Sequence, residues 1–286
     1  MRCQTVEMSD ADVAAPEADA DHQGPRPSPA GMYDYYLGGT ANSPVDRAAA
    51  EQVKSFMPEV VDAAWANRGF LQRAVKRMAA DWGIRQFIDV GAGLPTQRNT
   101  HQAAAEEAAG CRVVYVDNDP YVVEQGSDIL GGARDTAVIM ADLRAPDEVL
   151  NHPRTRELID FARPVGLLMV AVTHFVPDND DPWGLLNRYR DAVVSGSYLA
   201  LSAVTSDNQF RPAGANVGRI YAASTAPPVA RTRDEIRRFF AGWEIVPPYE
   251  GAQSDVIYIG QWGAEDPALA DSEGSRIFYA GVARKP

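Results

Sequence analysis

The run Phe87-Ile88-Asp89-Val90-Gly91-Ala92-Gly93 constrains this chain more than any other stretch. An apolar, β-branched segment that stops at two closely spaced glycines and then enters a helical pattern describes a strand leading into a tight turn. There the missing Cβ atoms let a ligand approach the backbone closely. A second apolar run, Val113-Val114-Tyr115-Val116, closes on Asp117. An acid at the end of the following strand can accept hydrogen bonds from a ribose hydroxyl pair. The two runs together predict an α/β sheet whose strand ends hold an adenosine-containing cofactor.

The rest of the composition narrows the partners. At 286 residues the chain can bury the core of one large α/β domain with appendages. A formal net charge of -12 opposes capture by nucleic acid or by an anionic membrane surface, since both are held mainly through clustered Lys and Arg. Cys3 and Cys111 are too few for a disulfide framework and have no zinc-type spacing, so they read as free thiols in a reducing compartment. The acidic N-terminus lacks the apolar centre of a signal peptide. The longest apolar run, Val165 to Val172, is too short to cross a bilayer. A cytoplasmic location is expected.

Residues 1–26 carry almost no large apolar side chains and are expected to be a disordered acidic tail. The domain proper is expected over 27–286, with an N-terminal lid and helical cap over 27–84 and a Rossmann-like core over 85–286. Three tyrosines, a Leu and a Met crowd into the six positions from Met32 to Leu37, a density that needs a surface to pack on. Helical patterns follow over Asp46 to Met57 and Val60 to Ala80, the second with Val60, Ala64, Leu71, Val75 and Met78 on one face. Strands and helices then alternate: strand Gln86 to Val90, helix Asn99 to Ala109, strand Arg112 to Asp117, a helix opened by Asp119-Pro120, and strand Ala137 to Met140, which leads to Asp142. Helical segments from Pro146 to Phe161 precede Val165 to Val172, whose unbroken apolar character suits the middle of a parallel sheet. A helix from Trp183 to Val194 and a strand from Tyr198 to Ala203 extend the plan. Thr232-Arg233-Asp234-Glu235 is a capping box for a helix to about Phe240, and strands Trp243 to Val246 and Arg276 to Ala283 suit a closing hairpin.

Taken alone, Asp89-x-Gly91-x-Gly93 is a weak signal. The third glycine of a dinucleotide fingerprint would fall at Thr96, and the alternative reading of the pair is a tight turn without a ligand. Asp117 and Asp142, each at the end of a predicted strand, favour a nucleoside site.

Phe87 to Thr96, Val113 to Pro120, Ala141-Asp142-Leu143, the opening Ser28 to Gly39 and the ending Phe278 to Pro286 together resemble an actinobacterial family of S-adenosylmethionine-dependent methyltransferases of largely unassigned substrate. The resemblance implies the class I methyltransferase fold, a seven-stranded mixed sheet in the order 3-2-1-4-5-7-6 with its last strand antiparallel, and S-adenosyl-L-methionine as cofactor. It also implies site roles. Asp89, Gly91 and Gly93 would form the turn beside the methionine end, with Asp89 reaching the ammonium. Asp117 would bind the ribose hydroxyls, Asn118 would lie against the adenine, and Asp142 and the Leu143 N–H would serve its edge, with a strand-end cap as the alternative reading of Asp142.

Tyr33, Tyr35 and Tyr36 could fold over the cofactor as a lid, with Tyr33 and Tyr36 facing a sulfonium, or could simply pack an N-terminal arm. His174, leaving the central strand at its C-terminal rim, is the candidate general base, against a structural reading as a packed ring. His101 reads as a packing or surface residue. The run Asp178 to Asp181 reads as a loop capping the helix at Trp183, since Pro182 and Trp183 do not suit a calcium loop. The expected function is methyl transfer to a small or medium acceptor. The rivals are a non-catalytic adenosyl-ligand-binding protein and, less well matched, a nicotinamide-dependent oxidoreductase.

Overall fold

A computed structural model of the chain describes residues 26–95, 98–130, 132–207 and 211–286. The predicted tail, apart from Arg26, and Thr96 lie outside these residues. The order of elements begins with three helices, α1 (Pro29–Tyr36), α2 (Pro44–Phe56) and α3 (Val60–Ala80). The alternating part follows as β1 (Gln86–Val90), α4 (Thr100–Glu107), β2 (Arg112–Asp117), α5 (Pro120–Leu130), β3 (Thr136–Met140), α6 (Pro146–Asn151), α7 (Pro153–Leu158), β4 (Gly166–Val170), α8 (Pro182–Ala192) and β5 (Tyr198–Val204). Helices α9 (Arg211–Ala222) and α10 (Arg233–Arg238) then precede β6 (Glu244–Ile245), β7 (Ile257–Tyr258) and β8 (Phe278–Arg284).

The sheet runs β3-β2-β1-β4-β5-β8-β6, with β7 paired to β8 off that path. Strands β1 to β5 are parallel, and β8 is antiparallel to both β5 and β6. This is the expected mixed sheet, with β8 in the place of the seventh strand and the two-residue β7 added. Its chemistry follows from the twofold alternation of strands. Ile88, Val114, Leu167 and Leu199 lie side by side in the register and face one core layer with α8. Phe87, Val113, Leu168 and Ala200 face the other, against Phe70, Ala74, Val75 and Met78 of α3. Asp89 shares the parity of Phe87. Its side chain therefore emerges on the α3 side of the sheet, at the C-terminal end of β1.

A third, separate core is made by the N-terminal helices: Met32, Tyr36, Leu37, Ala49, Ala50, Val53 and Ala64, with Val217, Ile220 and Tyr221 of α9 packed against it. Helix α9 has no counterpart in the sequence reading. Gly214 and Gly218 weaken its local signal, and its apolar face acquires meaning only against α2.

The remaining departures have local causes. The single helical region expected over Pro146 to Phe161 is broken at His152, which precedes Pro153 and takes an extended ψ of 137. The central strand β4 ends at Val170 rather than at Val172, because Ala171 turns into the left-handed region with φ 56. Helix α2 begins at Pro44, two residues before Asp46, since Ser43 caps it in a box with Asp46. The last strand begins at Phe278, after a short 3-10 turn over Gly274–Ile277.

Candidate functional site

The acids predicted at strand ends converge on one edge of the sheet. The glycine turn is fastened to β2, since the N–H groups of Gly91 and Ala92 both donate to the Val116 carbonyl, at 2.8 and 3.1 Å. The Gly93 N–H donates to Asp117 Oδ2 at 2.9 Å, and the Asp119 N–H donates to Asp117 Oδ1 at 3.1 Å. The turn and the acid read separately in the sequence are thus one hydrogen-bonded unit. Gly91 and Gly93 have φ of 69 and 64, and a Cβ at Gly91 would meet Val172 Cγ2 at 2.1 Å.

Asp89 is 5% exposed and accepts from Thr100 Oγ1 at 2.6 Å. Burial raises its pKa to about 6, against the opposing effects of the Thr100 hydrogen bond and the Arg68 charge. Burial likewise raises Asp117, whose backbone hydrogen bonds act the other way. Asp142, past the end of β3, accepts from Asn118 Nδ2 at 3.1 Å and from Arg144 Nη2 at 2.6 Å. Burial alone would raise its pKa, but the Arg144 and Asn118 hydrogen bonds prevail and hold it below the usual carboxylate range. Asp142 acts as a strand-end cap, closing a turn by accepting from the Arg144 N–H at 2.8 Å, and is tied to Asn118 as well. Leu143 packs against the core, and its carbonyl accepts from Tyr189 Oη at 2.9 Å.

The N-terminal segment lies across this edge. Asp46 joins α1 to α2 by accepting from the Ser28 N–H at 2.7 Å and the Ser43 N–H at 2.8 Å. Ala30 Cβ comes within 3.9 Å of where a Gly93 Cβ would stand, and Tyr121 Oη at the start of α5 donates to the Ala41 carbonyl at 3.0 Å. Tyr33 Oη donates to the Ala64 carbonyl at 3.0 Å and accepts from Asn67 Nδ2 at 2.8 Å. Asn67 Oδ1 accepts from Ser202 Oγ at 2.6 Å, and Ser202 Oγ in turn accepts from the Ala171 N–H at 2.9 Å. A polar chain thus runs from the left-handed residue ending β4 to the tyrosine segment. Tyr36 belongs to the third core at 4% exposure, whereas Tyr33, packed at the edge of that core, lies with its ring centroid 5.8 Å from the Arg68 guanidinium carbon. Tyr35 turns outward and donates to Glu51 Oε1 at 2.5 Å.

His174 sits in a 3-10 turn, Thr173–Phe175, and is 4% exposed. Its ring centroid lies 4.3 Å from that of Phe175 and 6.0 Å from that of Phe278, and Nδ1 has no hydrogen-bond partner. Burial, with a smaller contribution from Arg231, pushes its pKa down to about 3. The expected titration near neutral pH is therefore corrected, because the rim position read from the sequence is roofed over in three dimensions. His101 packs edge-on against Tyr115, and Asp181 caps α8 by accepting from the Gly184 N–H at 3.1 Å. A cleft of about 330 Å³ lined by Pro95, Asn99, His101, Gln102, Ile129 and Leu130, among others, lies outside the carboxylate group, none of whose members lines it.

The sequence profile of a family described as S-adenosyl methyltransferase matches residues 15–286. The chain belongs to that family. A candidate methyltransferase from Thermobifida fusca YX shares 37% identity over 91% of this chain and 95% of its own, with a TM-score of 0.83. A DUF574 family protein from Streptomyces avermitilis MA-4680 also shares 37% identity over 91% of this chain, covering 98% of its own length with a TM-score of 0.83. No curated protein matches the chain. The protein is an S-adenosylmethionine-dependent methyltransferase whose acceptor is unidentified.

In this methyltransferase the sequence reading passed over Arg68 and Asn67. Both sit on α3 in the gap between Ala64 and Leu71 of its apolar stripe, and both are buried, at 6% and 2% exposure. The interruption of that stripe by two polar residues is the signal that could have found them.

Proposed function

We propose that the C-terminal ends of β1, β2 and β3 bind S-adenosylmethionine under a lid formed by residues 27–43, within a domain made of the 27–84 cap and the 85–286 core. The observation that carries this reading is the bond between the Gly93 N–H and Asp117 Oδ2, which makes turn and acid a single cradle. Each oxygen of Asp117 accepts one backbone N–H and keeps a lone pair for a ribose hydroxyl. Asp89, anionic at neutral pH with a pKa of about 6, suits the ammonium of the methionine end. Asn118, Asp142 and the Leu143 N–H border the adenine edge. Gly91 and Gly93 keep the turn free of side chains, and Tyr33 offers its ring face to the cationic end.

The cofactor supplies a methyl group activated by sulfonium. The chain's task is to align an acceptor with it and keep water out. The lid does the latter, held down by the Asp46, Tyr33 and Tyr121 hydrogen bonds. The acceptor is read as a small molecule, since a net charge of -12 disfavours nucleic acid. Among the described residues no helix is long and apolar enough to cross a membrane, in keeping with a cytoplasmic protein.

Titration calorimetry with S-adenosylhomocysteine tests the cradle. Asp117→Ala should weaken binding by about 10- to 100-fold, as expected for hydrogen bonds to a charged acceptor. Undiminished affinity in a folded variant would remove Asp117 from the site.

Catalysis in this reading rests on alignment rather than on an ionising imidazole. At saturating cofactor, turnover followed from about pH 5 to 8 should keep the same profile in His174→Gln as in the parent protein. A limb near neutrality that vanishes in the variant would restore His174 as the base.

A further inference from the structure

We propose that Arg68 is the binding residue for the α-carboxylate of the cofactor's amino-acid end, so that Arg68 and Asp89 together read a zwitterion. The inference rests on the cofactor reading above and deepens it.

Arg68 is 6% exposed, and among the described residues no carboxylate comes within 4.0 Å of its guanidinium. Its Nε has no hydrogen-bond partner. The Tyr33 side chain meets it, but a buried cation with no carboxylate in contact still carries a desolvation cost of several kcal/mol, so an anion arriving beside it recovers stabilisation that the empty protein lacks. The other buried arginine makes the contrast. Arg231, 1% exposed, donates to the Thr173 and Val176 carbonyls at 3.2 and 2.7 Å and pairs with Asp178 at 2.7 Å. Arg231, although its Nε is also unpartnered, is held by two carbonyls and a carboxylate, whereas Arg68 meets the Tyr33 side chain and has no carboxylate in contact.

The surroundings of Arg68 say which anion. Its guanidinium carbon lies 5.8 Å from the centroid of the Tyr33 ring, under the lid. Its charge acts on Asp89, Tyr33 and Tyr115, which puts it on the α3 face of the sheet at the same strand ends as the carboxylates. Opposite charges buried near one another but not in contact suit a ligand that carries both signs on one carbon. An α-amino acid does so: its ammonium meets Asp89 and its carboxylate meets the planar fork of Arg68, a geometry the guanidinium favours. Arg68 also has a neighbour in the lid network, because Asn67 beside it holds Tyr33 at 2.8 Å. Ligand charge and lid position are therefore linked through one turn of α3.

The test is a binding cycle on the full-length protein by titration calorimetry. The two ligands are S-adenosylhomocysteine and its decarboxylated analogue, which keeps the ammonium, each titrated into the parent protein and into Arg68→Met. In the parent, loss of the carboxylate should weaken binding by about 10- to 100-fold, the range for hydrogen bonds between charged groups. In Arg68→Met the affinity for S-adenosylhomocysteine should fall by a similar factor, while the decarboxylated analogue binds within about twofold of its parent affinity. Arg68→Lys, which keeps the charge without the fork, should recover part of the loss. Equal affinity of the parent for both ligands overturns the inference without needing any variant to fold. So does an Arg68→Met protein that loses both ligands in the same proportion, which would mark the residue as structural. A parent protein that binds neither ligand would instead sink the cofactor reading, and the inference with it.

Discussion

Gly91→Ala should lower the unfolding free energy by about 2–4 kcal/mol, combining the cost of a left-handed L-residue with that of overpacking. Gly91 has φ 69, and the new methyl would stand 2.1 Å from Val172 Cγ2, inside any real contact distance. Val172 is itself 8% exposed and held in the core of the other sheet layer, so it has little room to withdraw. The backbone would have to move instead, straining the bonds from the Gly91 and Ala92 N–H groups to the Val116 carbonyl. Since Gly93 is fastened to Asp117, the same displacement should reach the cradle and weaken cofactor binding. Urea denaturation measures the first effect and calorimetry the second. A variant as stable as the parent would mean that the turn is far softer than its contacts indicate.

Asp89→Asn should move stability and cofactor affinity in opposite directions. The folded-state pKa of Asp89, about 6, lies above the usual carboxylate value near 3.9, so the native state holds this proton more tightly than the unfolded chain does. The stability arising from that proton is fully present below about pH 4 and is lost as pH rises through about 6. The difference is on the order of 3 kcal/mol, so at neutral pH the cofactor-free Asn variant should be more stable than the parent by up to that amount. The advantage should disappear on titrating below pH 4. Thr100 Oγ1, now 2.6 Å from the carboxylate, can still donate to the amide oxygen, which keeps the comparison clean. With the proposed ammonium site lost, the same variant should bind S-adenosylhomocysteine more weakly, and the parent's affinity should rise with pH through about 6 as the carboxylate ionises. Denaturation and calorimetry across that range check both halves. An Asn variant that is less stable than the parent at neutral pH would contradict the burial argument.

Asp89, a buried carboxylate that weakens the empty protein, and Arg68, a buried guanidinium with no carboxylate in contact, are two of the points at which this fold gives up stability. Both lie on the α3 side of the β1 end. In the proposed cofactor complex each cost would be relieved by a ligand charge of the opposite sign, which is why strong effects are expected there rather than at Asp142, already neutralised by Arg144.

How much could be read without the structure depended on the range of the interaction. The strand, the glycine turn and the acid at Asp117 were legible because they are set by alternation, by backbone sterics and by the short span of a βαβ unit, all carried by neighbouring residues. The helices α2, α3 and α10 were legible from caps and apolar spacing for the same reason. Residues whose character depends on what covers them were not. His174 looked titratable at a strand end, but Phe175 and Phe278 close over it and leave its imidazole neutral. Tyr36 looked like part of a lid face, but packing with α2 and α9 draws it into a core of its own. Helix α9 and the early end of β4 at Ala171 follow from contacts with segments distant in sequence. Arg68 is the clearest case: by sequence it is one charged residue on a helix, and only the packing of α3 on the sheet buries it with no carboxylate in contact. Local order is written in adjacent side chains, whereas burial and charge balance are properties of the assembled surface around a residue, and the tertiary structure alone decides them.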